Sequence, residues 1–210
     1  MGKLKKRCIL KKRSVYGKMY VLGEIMYKNY IKPSLDFIIA LGLLIILLPL
    51  MIITIIVTII DLGFPIYNRL REREGKNKKT FIMYKIRTKT KPTKANGYKE
   101  EYTKVSRIID SFRLNEIPQL INVIKGDMSL VGPRPFIPGE ELPEGRISEK
   151  RYKVRPGITG LAQVNGGRAI THKAKLRYDE IYYDNLSFKM DVKIILKTIY
   201  EVIFHKVDKK

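Results

Sequence analysis

Residues 37–60 read FIIALGLLIILLPLMIITIIVTII, 24 consecutive positions without a charge. About 20 apolar residues suffice for a helix to cross the hydrocarbon core of a bilayer, so this run predicts a lipid-embedded helix. It is too long, and begins too deep in the chain, for a cleaved signal peptide. A buried helix of a soluble core is the alternative, but such helices rarely run this far without a polar face. Pro49 stands mid-run, in Leu48-Pro49-Leu50. Proline removes a backbone donor and pushes the preceding turn aside, so a kink is expected there. Asp36, at the start of the run, is expected near the interface or paired with a basic residue.

Both flanks of the run are basic. Residues 1–32 hold ten Lys and Arg, including Lys5-Lys6-Arg7 and Lys11-Lys12-Arg13, against Glu24 alone; residues 69–94 hold eleven against Glu72 and Glu74. Positive charge beside a membrane segment marks the cytoplasmic side. A straight span strands one cluster on the wrong face, whereas a segment that dips in and returns offends neither. A tolerated kink in a spanning helix remains the alternative reading of Pro49. The paired flanks favour a re-entrant, monotopic helix-break-helix over residues 35–62, broken at Pro49.

Over the whole chain, 42 Lys and Arg oppose 20 Asp and Glu, a net +22, while 45% of the 210 residues are hydrophobic. That combination excludes a disordered tail and leaves two partners, a nucleic-acid backbone or an anionic membrane face. Location decides between them, since residues 1–94 carry net +16 and residues 95–210 only +6. The charge brackets the membrane run, which makes anionic lipid the expected partner. No nucleic-acid-binding motif is present, so nucleic acid is not expected. A single cysteine, Cys8, excludes a disulfide framework, and His172 and His205 lack metal-ligand spacing.

The remainder reads as one cytoplasmic domain, residues 63–204, between a basic extension (1–34) and a basic tail (205–210). Phe81 to Arg87 is a short strand-like run in which Lys85 and Arg87, spaced by two, share a face. Val105, Ile108, Ile109 and Phe112 recur at helical spacing. A helix is predicted from about Asn115 to Lys125, stopped by Gly126. Pro138 to Lys150 reads as an exposed loop and Arg155 to Arg168 as irregular. Near the C-terminus, Val192, Ile195, Ile199 and Val202 form an apolar stripe beside Lys189, Lys193, Lys197 and Glu201. That amphipathic helix either caps the core or lies on the membrane.

Three segments carry the chemistry: LNEIPQLINV (residues 114–123), KGDMSLVGPRP (125–135) and RPGITGLAQVNG (155–166). Together they resemble the bacterial sugar transferases, the monotopic polyprenyl-phosphate phosphoglycosyl transferases, and the likeness runs from about Leu35 to Phe204. The resemblance implies transfer of a sugar-1-phosphate from a nucleotide-activated sugar, usually a UDP-sugar, to undecaprenyl phosphate. UMP leaves, magnesium is required, and assembly of a surface glycan begins on the lipid. It also implies residence at the bacterial inner (cytoplasmic) membrane, with the active site facing the cytoplasm.

The residues are compatible with that reaction, because phosphoryl transfer needs charge neutralisation and positioning above all. Arg134, between Pro133 and Pro135 on a constrained backbone, suits an oxyanion clamp. Arg155, before Pro156-Gly157 in a glycine-rich stretch, suits a second, where backbone N–H groups approach phosphate closely. Lys85 and Arg87 match the family's basic element, and the arginine of its Asn-Gly-Arg is displaced by one residue to Arg168. At the membrane break the family's Ser-Pro is Leu48-Pro49. The Met that closes the basic element is Lys89, and Arg73-Glu74-Gly75 best matches the Arg-x-Gly ahead of it.

Asn115 is the informative departure. The resemblance puts an aspartate there, followed by glutamate; the aspartate attacks phosphorus and the acidic pair binds magnesium. The matching pair is Asn115-Glu116. A carboxamide is a poor nucleophile and a weak magnesium ligand, which leaves Glu116 as the ligand. The same pair also fits a helix N-terminus, a cap followed by a first-turn acid. Three explanations stand: a member using another route through Glu116 or the lipid phosphate itself, an inactivating substitution, or a non-catalytic member that binds lipid or nucleotide-sugar as a scaffold. The expected fold is α+β and predominantly helical, with the re-entrant helix and interfacial amphipathic helices seating the site at the membrane.

Overall fold

The computed structural model describes residues 22, 23, 25–67, 72–94, 97, 99–139, 149–167 and 169–204. Helix α1 (Lys32–Leu62) continues a π-helical turn, Tyr27–Ile31. There follow β1 (Glu72–Glu74), β2 (Thr80–Ile82), α2 (Lys104–Ser111), α3 (Gln119–Ile124), β3 (Ser129–Val131), β4 (Gly157–Thr159), α4 (Leu161–Val164), α5 (His172–Asp184) and α6 (Phe188–Phe204). β1 and β2 pair antiparallel, and β3 and β4 pair in parallel. The fold is thus mostly helical with small sheets, as the pattern predicts.

The 31 residues of α1 span about 46 Å at 1.5 Å per residue, long and apolar enough to cross a membrane. Only 11% of its most apolar stretch is buried, unlike the core helix of a soluble protein. Pro49 does not divide it into two helices: helical geometry continues through the proline, which forfeits one backbone bond while its Leu and Ile neighbours keep theirs.

The buried positions of α1 form a stripe. Asp36, Ala40, Thr54 and Thr58 are buried, and Leu44, Leu47 and Met51 lie between them, half-buried. Steps of three and four keep all seven on one face. Ala40, Leu44, Leu47 and Met51 pack on a cluster of Phe81, Ile117, Leu120, Val123 and Met128. The Thr54 and Thr58 hydroxyls donate to the carbonyls of Leu50 and Thr54, each at 2.8 Å, so neither needs a partner elsewhere. The opposite face, with Ile38, Ile45, Ile46, Ile53 and Ile60, is exposed.

Polar contacts fix both ends of α1 to one body. At the start, Asp36 accepts from the Ser129 hydroxyl at 2.7 Å and pairs with Arg155 at 3.1 Å. Asp191 of α6 accepts from Tyr27 at 2.6 Å, Lys32 at 2.8 Å and Tyr182 at 2.7 Å. At the far end, Asp61 accepts from Thr103, the N-cap of α2, and the Arg87 guanidinium donates to the Leu62 and Gly63 carbonyls. The expected pairing of Asp36 with a base is present, and buried acids so fully partnered resist separation.

The second core cluster joins Tyr27, Val131, Val154, Val164, Tyr182, Leu186 and Ile194. α6 buries Asp191 and Ile194, with Ile195 and Thr198 partly covered, while Ile199 and Val202 of the predicted stripe are exposed beside Leu196 and Tyr200. The buried face is therefore displaced from the one the periodicity names, because α6 carries apolar residues on both sides. On α2 only Ile109 of the predicted apolar set is buried; Val105 and Ile108, with Phe112 just beyond the helix, are exposed.

The stretch 155–167 is more regular than its glycines imply. Gly132 and Gly157 let β3 and β4 approach so closely that a Cβ on Gly157 would collide with the Gly132 backbone, and one on Gly132 with the Arg155 carbonyl. Most of the expected loop 138–150, and Cys8, lie outside the described residues.

Candidate active site

α2 ends at Ser111, and Arg113 then takes a left-handed conformation, φ 54°. That reversal sets Leu114–Glu116 as a single 3₁₀ turn, and α3 begins only after Pro118, which has no N–H to offer a helix. Asn115 is therefore not the N-cap of a helix running to Lys125, although Gly126, φ 82°, provides the predicted stop. Asn115 is fully buried. Its Nδ2 donates to Asp110 Oδ1 at 2.9 Å, and its Oδ1 has no hydrogen-bond partner among the described residues.

The next side chain, Glu116, is nearly enclosed. Burial alone would raise its carboxyl pKa, but the fields of Lys85, Arg113 and Arg134 outweigh burial and hold it below the usual glutamate range. Lys85 donates to Oε1 at 2.9 Å, and Arg113 stands 3.7 Å from Oε2. The segment bearing Lys85 is clamped to this turn: the Ile86 N–H donates to the Asn115 carbonyl at 3.0 Å. Buried Asn122 accepts from the Tyr84 N–H at 3.0 Å and donates to the Ile82 carbonyl at 2.7 Å. The result is an ionised carboxylate inside a cationic rim. Immediately after it, Ile117 and Leu120 pack on α1 through the cluster around Ala40.

A model of the bacterial sugar transferases matches residues 27–205. The chain belongs to the bacterial sugar transferase family. It is 39% identical over 158 residues to the uncharacterized sugar transferase EpsL of Bacillus subtilis, covering 73% of the chain and 78% of that protein. It is 33% identical to the UDP-N-acetylgalactosamine-undecaprenyl-phosphate N-acetylgalactosaminephosphotransferase of Aeromonas hydrophila, covering 83% of the chain and 44% of the relative. To the undecaprenyl-phosphate galactose phosphotransferase of Salmonella typhimurium it is also 33% identical, over 81% of the chain and 40% of the relative. The chain thus spans less than half the length of these two named transferases.

In this family member the expected basic residues divide between two tasks. Lys85 and Arg134 converge on Glu116; Arg134 is exposed, and its own carbonyl is held by the Arg151 guanidinium. Arg87 does not join Lys85 at Glu116: its guanidinium is buried against the carbonyls closing α1. A helix C-terminus attracts a cation, so the helix claims Arg87. Arg155 pairs with Asp36, and the Gly157 N–H of the same stretch donates to the Pro133 carbonyl at 2.9 Å. Arg168 lies outside the described residues. Asp110, Arg113 and Arg151 are not legible as neighbours of the site, since only the fold brings them to Asn115, Glu116 and the Arg134 carbonyl.

Proposed function

We propose that the chain transfers a sugar-1-phosphate from a UDP-sugar to undecaprenyl phosphate, releasing UMP and starting a glycan on the lipid carrier at the cytoplasmic face of the bacterial inner membrane. The observation that carries this reading is the position of Glu116. An ionised carboxylate ringed by Lys85, Arg113 and Arg134 lies one residue from Ile117, which packs against the membrane helix. A soluble nucleotide-sugar and a lipid phosphate can both reach such a site. Membrane seating is supported by the exposed apolar residues of α6 and around α2. A cleft beside the start of α1, lined by Lys28, Lys32, Lys76, Lys153 and Arg155, favours contact with anionic headgroups. The fixing of both α1 ends to one charged body supports the re-entrant course.

Among the described residues no three His, Cys, Asp or Glu side chains form a metal cage. Magnesium, however, binds through one or two carboxylates together with substrate phosphates. Glu116, with the unpartnered Asn115 Oδ1 on the preceding residue, fits that requirement and would hold it. When bound, the ion would offset charge on the transferring phosphate. The test is incubation of the purified chain with magnesium, undecaprenyl phosphate and a panel of UDP-sugars. UMP release with at least one sugar is expected. No release with any of them would defeat this reading in favour of the binding scaffold.

A further inference from the structure

Position 115 lacks a carboxylate, yet one lies a single hydrogen bond away. Building on the transferase reading, we propose that Asp110 supplies the attacking carboxylate in this chain. The Asn115 amide donates to Asp110 Oδ1 at 2.9 Å, and the Tyr102 hydroxyl donates to Oδ2 at 3.2 Å. Asn115 is fully enclosed, whereas Asp110 is only half-buried, so of the two only Asp110 presents a surface to a substrate. Its placement serves no helical purpose. Asp110 stands in the last turn of α2, where the helix dipole disfavours an anion. Arg113 follows three residues later with its guanidinium toward Glu116, so cationic groups already border the same turn.

In the first step a lone pair of the Asp110 carboxylate bonds to the phosphorus that carries the sugar. The bond from that phosphorus to the UMP oxygen breaks, and UMP departs with its electron pair. The enzyme then holds a sugar phosphate as a mixed anhydride on Asp110. An oxygen of the lipid phosphate next bonds to the same phosphorus, and the carboxylate leaves with the pair it brought. Nothing is oxidised or reduced, and Asp110 is regenerated.

The geometry also changes what Asn115→Asp tests. Alone, it sets two carboxylates at hydrogen-bond distance, where like charges repel. The swap Asp110→Asn with Asn115→Asp preserves the contact with donor and acceptor exchanged. Asp110→Asn retains an oxygen to accept the Asn115 amide, so the fold should persist, as circular dichroism can verify. UMP release by Asp110→Asn should fall by about a thousandfold or more, the scale on which losing a nucleophile is felt. Because it moves the carboxylate to the enclosed position 115, the swap should stay about as inactive as Asp110→Asn.

A second readout locates the bond directly. Trypsin cuts after Arg107 and Arg113, so Asp110 falls on the peptide IIDSFR (108–113), and Asn115 and Glu116 on LNEIPQLINVIK (114–125). Full-length protein exposed to UDP-sugar without lipid should carry the added sugar phosphate on the first peptide. An adduct on the second, or undiminished UMP release by Asp110→Asn, overturns the assignment while the transferase reading stands. An inactive native chain with an active swap also overturns it. If neither the native chain nor any variant releases UMP, the transferase reading fails and this assignment fails with it.

Discussion

Asp179 is connected to Arg134 through one intermediary, Arg151. It is buried on α5, 3.3 Å from Arg151. Burial pushes its carboxyl up to about 7, Arg151 only partly opposing this and Glu180 adding to it. Arg151 in turn donates to the Arg134 carbonyl and lies over the Phe136 ring. Because the folded carboxyl binds its proton more tightly than an unfolded one, stability should fall as pH rises from about 4 to about 7 and level off above. Asp179→Asn should abolish that slope in thermal melts of the detergent-solubilised protein. A slope identical to that of the native chain would show that Asp179 is not its source. Such couplings were not legible in sequence. Motif position marks Glu116, Lys85 and Arg134. Motif position also names Arg87 and Arg155, but it does not tell which carbonyl or carboxylate each of them contacts. The Asn115–Asp110 contact depends on the left-handed Arg113, which no local residue preference requires.

At the scale of the element, α1 was legible in length, apolarity and position, but its buried face was not. A helix that meets lipid on one side and a protein core on the other is apolar on both, so periodicity carries little contrast. What marks the protein-facing side is the size and polarity of a few residues: Asp36, Ala40, Thr54 and Thr58. Ala40 is fully buried against the cluster of Phe81, Leu120 and Met128. Ala40→Leu should overpack that seam and destabilise the protein by about 1–3 kcal/mol. Leu41→Phe, on the neighbouring exposed position, should shift stability by no more than about 0.5 kcal/mol. Melting temperatures of the two variants in one detergent compare them directly, and equal losses would contradict a protein-facing stripe.

For the whole molecule the decisive relation is between α1 and the body it contacts. Asp36 is tied to Ser129 and Arg155, and Asp61 to Thr103, so the two ends of the most apolar segment meet a single charged unit. A unit bearing Glu116, Lys85, Arg113 and Asp110 cannot enter hydrocarbon without large desolvation costs. The prediction is that both ends of a helix so fastened stay on one side of the membrane. The charge distribution argues the same way, since the two basic blocks of residues 1–32 and 69–94 favour one face. Cys8 and an exposed Lys78→Cys, each carried as the sole cysteine, sample those blocks. A membrane-impermeant maleimide should modify both in inside-out vesicles and neither in right-side-out cells. Labelling of the two from opposite sides would require α1 to cross the bilayer, and the contacts of Asp36 or Asp61 would then have to break in the membrane.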